Sequence, residues 1–143
     1  MIVALAVAGA APASACIIPP PPASAMLNIS WDAVVVGVVE HAEYTTPEAS
    51  SLPAADRPWQ GTATALLSVE GSIPSNKIQF GDKGDAEIVP LCGEWPRYEA
   101  PRRGEQWVFY YRRRGSALEL GMFRPLGYAV QHDRRFRSTK SNP

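Results

Sequence analysis

Residues 33–40, Ala-Val-Val-Val-Gly-Val-Val-Glu, constrain the fold more than any other stretch of the chain. β-Branched side chains are stiff at χ1 and pack well on a pleated surface, so the run reads as a strand. It is apolar at odd and even positions alike. A strand that must bury both of its faces belongs at the centre of a sheet. Gly37 interrupts the run where a bend, a bulge or a close backbone approach is expected.

The remaining extended segments are shorter. Residues 61–69 set Thr62, Thr64, Leu66 and Ser68 against Ala63, Ala65, Leu67 and Val69, an imperfect two-residue period. Glu70 to Pro74 is a turn, Lys77 to Phe80 a short strand, and Gly81 to Asp85 a tight polar connection. Glu87 to Leu91 offers a further extended piece that delivers Cys92. Residues 105–112 form the second clear strand, with Trp107, Phe109 and Tyr111 on one face and Val108 and Tyr110 on the other. Arg113-Arg114-Gly115-Ser116 turns that strand into a hairpin partner over Ala117 to Phe123. Ala23 to Ile29 has room for about one helical turn, and His41 to Pro58 reads as a long polar loop. With 14 Pro, 11 Gly and no long helical period, the chain is expected to be all-β with a minor helical segment. Five to six strands with a long first connection suit a small Greek-key barrel of OB type.

The N-terminus reads as a leader. Ile2 to Ala11 has the length of a signal-peptide apolar region and leads into Ala13-Ser14-Ala15, an A-x-A cleavage pattern. Three segments follow: a signal peptide over 1–15, one barrel domain over 16–133 and a basic disordered tail over 134–143. The expected location is secreted, or periplasmic and cell envelope. Cleavage after Ala15 puts Cys16 first in the mature chain, followed by a stiff strap through Pro19 to Pro22. Two fates are open to its thiol. It pairs with Cys92, the only other cysteine, as two cysteines in an oxidising compartment do most simply. Alternatively it is lipidated, which anchors the chain to a membrane and excludes the disulfide.

A net charge of zero hides an asymmetry. Residues 97–143 hold 11 Lys and Arg against 4 acids, so they carry +7 and residues 1–96 carry −7. Such polarity steers an acidic partner toward one end, unless the halves neutralise each other across the folded surface.

Chemistry-bearing patterns are sparse. The two histidines, His41 and His132, fall outside any H-x-x-x-H or H-E-x-x-H frame, so no metal site of the chain's own is expected. No G-x-S-x-G elbow and no phosphate-cradling glycine loop occurs, and neither an enzyme nor a cofactor is expected. Trp107, Tyr110, Tyr111, Arg112 and Arg113 interleave aromatic and basic groups as single-strand binders do. Alternate aromatics filling a barrel account for them equally, and no nucleic-acid partner is expected.

Several of these features, taken in order, resemble the bacterial secreted relatives of tissue inhibitors of metalloproteinases. They are a leader ending in Cys16 before prolines, the Trp31-Asp32-Ala33-Val34-Val35-Val36-Gly37-Val38-Val39 strand, Gly71 before Ile73-Pro74, Cys92-Gly93, and Gly104 to Tyr110. The resemblance covers Cys16 to about Phe123. It implies a netrin-like OB barrel and an exported binding or scaffold module that engages an extracellular or envelope protein. In the animal inhibitors the N-terminal Cys amine and carbonyl chelate the zinc of a metalloproteinase. Carried over by position, Cys16 supplies the chelating atoms and Ile17 the side chain that enters the specificity pocket. The chain departs from that pattern at Ile18, where relatives often have a second Cys.

Overall fold

The structure, a computed structural model, describes residues 23–46, 53–82 and 98–137. Five strands form one antiparallel sheet: β1 (Ala33–Tyr44), β2 (Trp59–Glu70), β3 (Lys77–Asp82), β4 (Gln106–Arg114) and β5 (Ala117–Pro125). Their order is β3-β2-β1-β4-β5, so β4 returns to lie beside β1, which is the Greek-key arrangement. The expected fold class, a small all-β domain with a minor helical part and OB-like strand order, is the one observed. Two short helices, α1 (Ala23–Leu27) and α2 (Leu126–His132), flank the sheet in sequence. Among the described residues no helix is long and apolar enough to cross a membrane.

Both faces of the first half of β1 are buried, and each face has its own core. Ala33, Val35 and Val39 join Trp59, Ala63, Ile78, Phe80, Trp107, Phe109 and Tyr111 in the barrel interior. Val34 and Val36 join Val108, Tyr110 and Met122 on the outer face, where Leu27, Trp31 and Ala129 of the helical cover meet them. Burying a side chain of this size contributes about 1.5–3 kcal/mol, so withdrawing either core would cost more than a small domain's whole stability. The two edge strands meet through rings: Phe80 of β3 lies edge-on to Phe109 at 4.9 Å and to Phe123 of β5 at 5.3 Å. Gly37 sits at a register shift between β1 and β2, and a Cβ there would stand 3.0 Å from the Phe109 ring and 3.1 Å from the Thr64 carbonyl. The close backbone approach expected at that glycine is present.

Four expectations are revised. β1 continues through His41, Ala42, Glu43 and Tyr44, and the stretch read as a loop begins only after it, because β2 pairs with these residues. Gly81 and Asp82 end β3, paired with Gln60 and Trp59, rather than opening a turn. α2 was not foreseen; its seven residues are held by packing against Tyr110 and Met122 more than by propensity. Arg134 to Phe136, read as the start of a disordered tail, form a 3₁₀ turn docked on the domain. Residues 138–143, the leader, Cys16, Ile17, the proline strap, the 87–91 extension and Cys92 lie outside the described residues.

The docking of the C-terminus is a polar lock. Asp133 is fully buried and accepts hydrogen bonds from the Tyr110 hydroxyl at 2.9 Å, the Arg135 amide at 2.9 Å and Arg135 Nη1 at 3.2 Å. Arg135 also donates to the Leu27 carbonyl at 2.8 Å and the Ile29 carbonyl at 2.9 Å, and it pairs with Glu70. Burial, reinforced by the adjacent Asp133 carboxylate, holds the Tyr110 phenol protonated well above its ordinary value. Asn28 completes the lock by donating to the His132 carbonyl at 2.8 Å and accepting from the Arg134 amide at 2.8 Å.

Two sets of variants test this account by denaturant unfolding. Gly71 has φ +63° and a Cβ on it would stand 2.2 Å from the Asp32 carbonyl oxygen, whereas Gly115, at φ +60°, faces open space. Gly115→Ala should cost about 1 kcal/mol, and Gly71→Ala should cost at least about 2–3 kcal/mol because backbone has to move. Asp133→Ala should cost roughly 3–5 kcal/mol by leaving Arg135 without its buried partner, and Tyr110→Phe about 1.5–3 kcal/mol. Equal losses in the glycine pair, or a neutral Asp133→Ala, would contradict the packing described.

Candidate functional site

Beyond Val39 no helix among the described residues covers the outer face of β1, and the side chains change character accordingly. One extra residue makes the change. Val39 pairs with Ala63 and His41 with Thr62, so Glu40 is a bulge residue inserted between them. Glu40 and His41 are both exposed, while Val39 is buried in the interior and Ala42 packs against the same core. From there the strand alternates His41 and Glu43 outward against Ala42 and Tyr44 inward, and Thr45 just past its end is exposed.

Cross-strand pairing lays these groups out in rows. His41 of β1 lies opposite Thr62 of β2, which lies opposite Gln79 of β3; Glu43 lies opposite Gln60, which lies opposite Gly81. Neighbouring strands stand about 4.8 Å apart, and same-face residues along a strand about 6.8 Å apart, so the rows form a grid of hydrogen-bonding groups. Gly81 leaves one grid point empty. A Cβ there would sit 2.5 Å from the Trp59 carbonyl oxygen. The result is an open groove of about 780 Å³ across β1, β2 and β3, bounded also by Thr45, Pro58 and Asp82 and by the strand positions of Trp59 and Phe80, whose rings are buried in the core.

The groove's polar groups are partly engaged with each other. His41 Nε2 stands 3.5 Å from Glu43 Oε2, and Gln60 Nε2 donates to Glu43 Oε1 at 3.4 Å. Thr45 Oγ1 donates to the Pro58 carbonyl at 3.2 Å. Thr62 and Gln79 make no side-chain hydrogen bond within the described residues. At the groove's end Lys77 Nζ meets Glu40 Oε2 at 2.6 Å, and the Thr64 hydroxyl donates to Glu40. The Lys77 ammonium first, and then Thr64, hold the Glu40 carboxyl below its ordinary value of 4.5.

The residues singled out by sequence fare differently. Of the two histidines, His41 is in the groove, whereas His132 ends α2 with its ring against Tyr128 at 4.4 Å. No group of three metal-ligating side chains occurs among the described residues. Trp107, Tyr110 and Tyr111 are buried, so their rings fill the two cores instead of presenting a stacking surface. Cys16, Cys92 and Ile17 lie outside the described residues, and neither the bridge nor the wedge has a geometry to report. Glu43, Gln60, Thr62, Gln79 and Gly81 had no motif to mark them; the alternation of polar and apolar residues over 41–45, and for Thr62 the imperfect period of 61–69, were the signs present.

The Glu40 contact yields a measurable titration. By carboxyl-detected NMR, Glu40 should titrate below 4.5, and Lys77→Met should move its midpoint upward. A depressed carboxylate stabilises the fold above its unfolded midpoint and loses that contribution as pH falls through the folded one. An unchanged midpoint in Lys77→Met would remove the ion pair from the account.

Comparison with known proteins finds no family model, no curated protein and no solved structure that matches the chain.

Proposed function

We propose that this chain is an exported, non-catalytic binding module that takes its ligand in the groove across β1, β2 and β3. The observation that carries the reading is the exposed grid of polar side chains around the empty position at Gly81. Its volume, about 780 Å³, falls within the range of roughly 300–1,000 Å³ usual for ligand sites. OB-type barrels commonly bind on the face of their second and third strands, which is where this groove lies. Export rests on the leader ending at Ala15.

A binding role is favoured over nucleophilic catalysis by the state of the groove's histidine. Its side chain is 67% exposed and meets only the 58% exposed Glu43 carboxylate, with no hydroxyl hydrogen-bonded to it. A protein nucleophile activated by this histidine would have to lie within hydrogen-bond reach of it.

Plugging the groove tests the reading. Thr62→Trp puts a bulky ring at the centre of the grid without touching either core. In a thermal-shift panel of envelope polysaccharides, peptides and small polar molecules, a ligand of the native chain should raise its Tm and leave the plugged variant unmoved. A ligand that stabilises both alike would show that the groove is not the binding face.

A further inference from the structure

We infer that Arg124 anchors a second binding site, apart from the groove, that takes a small organic monocarboxylate. The observation that carries it is a buried cation with an unspent edge. Arg124 is only 6% exposed, and no carboxylate pairs with it among the described residues. Its Nη1 donates to the Phe123 carbonyl at 2.7 Å, while Nε is buried without a partner and Nη2 makes no hydrogen bond among the described residues. Nε–H and Nη2–H stand side by side on one edge of the planar guanidinium. They form the two-pronged fork that a carboxylate accepts with both of its oxygens. A buried charge with unmet donors is costly to a fold, so an anion that meets them turns that cost into affinity.

The surroundings choose among anions. Arg124 lies on β5 opposite Val108 of β4, and the Tyr98 ring stands 5.9 Å from its guanidinium carbon. A ring at that distance attracts the cation through its π face but gives the N–H edge no acceptor. The Tyr128 phenol of α2 and the Tyr110 phenol of β4 act on the same charge. Tyr110 is spent, because its hydroxyl donates to Asp133, which is in turn held by Arg135. The Tyr98 and Tyr128 hydroxyls make no hydrogen bond among the described residues, and both side chains are partly exposed, so the site meets solvent on their side. Burial holds the Tyr98 phenol protonated above its ordinary value, which keeps it a donor.

One guanidinium and two neutral phenols add up to a single positive charge and a set of donors. A monocarboxylate matches both, with one negative charge and lone pairs on two oxygens in one plane. A phosphate group carries close to two negative charges, and none of these side chains answers the second. Arg124 does not line the groove, so this site stands or falls independently of the reading given to the groove.

The test is an NMR titration of the whole chain that follows the Arg124 Nε–H signal. Arg124→Lys assigns that signal by its loss; if the variant does not fold, contact with the Tyr98 ring protons assigns it. Acetate, inorganic phosphate and chloride are the probes, at neutral pH and matched ionic strength. Acetate should move the Nε–H signal and the amides of residues 123–128 saturably, at least about tenfold more tightly than phosphate or chloride. Arg124→Lys keeps the charge and loses the fork, so acetate binding read at those amides should weaken at least about tenfold. Tyr128→Phe loses only a hydroxyl and should weaken it about threefold. A Nε–H signal that no probe moves would overturn the inference, including the case in which a carboxylate of the chain itself already holds the fork. Phosphate or chloride acting as strongly as acetate would reduce the site to general charge attraction and overturn it as well, as would acetate binding undiminished in both variants. Acetate shifts confined to residues 41–45, 58–62 and 79–82 would overturn this site and leave the groove standing.

Discussion

Burial of β1 on both faces is the constraint from which the rest of the domain follows. Its first half carries valines on each side, so one sheet face must close into a barrel and the other must be roofed by something else. Rings from β2, β3, β4 and β5 do the first. Leu27 and Trp31 before the sheet and Ala129 after it do the second. The roof stops with the apolar residues. Beyond Glu40 the outer side chains are polar, no described element covers them, and the groove occupies that uncovered half.

Much of this was legible in order, less in extent. The β-branched run, the alternating aromatics of β4 and the turn at Gly115-Ser116 each carry a local signal that their surroundings do not contradict. The length of β1 was hidden because one inserted residue at Glu40 breaks the two-residue period, and polar side chains beyond it look like a loop. α2, with Gly127 inside it and Pro125 before it, has little helical preference of its own and exists through contacts distant in sequence. Arg135 looked like part of a solvated tail, yet a guanidinium can be buried when carbonyls and carboxylates surround its fork of donors, and sequence does not display that surrounding. The groove was the least legible part: ordinary Thr and Gln side chains become a site only when three strands bring them side by side.

The charge asymmetry of the chain resolves in part through contacts between its halves. Glu70 meets Arg135 across them. Arg124 is an exception to such pairing. It is only 6% exposed, its Nη1 donates to the Phe123 carbonyl at 2.7 Å, and its Nε has no partner. No carboxylate pairs with it among the described residues; the Tyr98 ring, 5.9 Å from the guanidinium carbon, stands where a counter-ion would. Burial lowers its pKa from the ordinary value.

Trp59 belongs to two structures at once. Its indole nitrogen donates to the Tyr98 carbonyl at 2.8 Å, and its rings pack edge-on against Phe80 at 5.3 Å and Phe123 at 5.9 Å. The same residue is a wall of the groove. The site therefore has no masonry of its own: whatever fills it rests on the outer side of strands whose inner side carries the rings that draw β3 toward β5. Occupancy and barrel closure are then one thermodynamic quantity seen from two sides, and a bound ligand acts as a removable staple across the seam of the sheet.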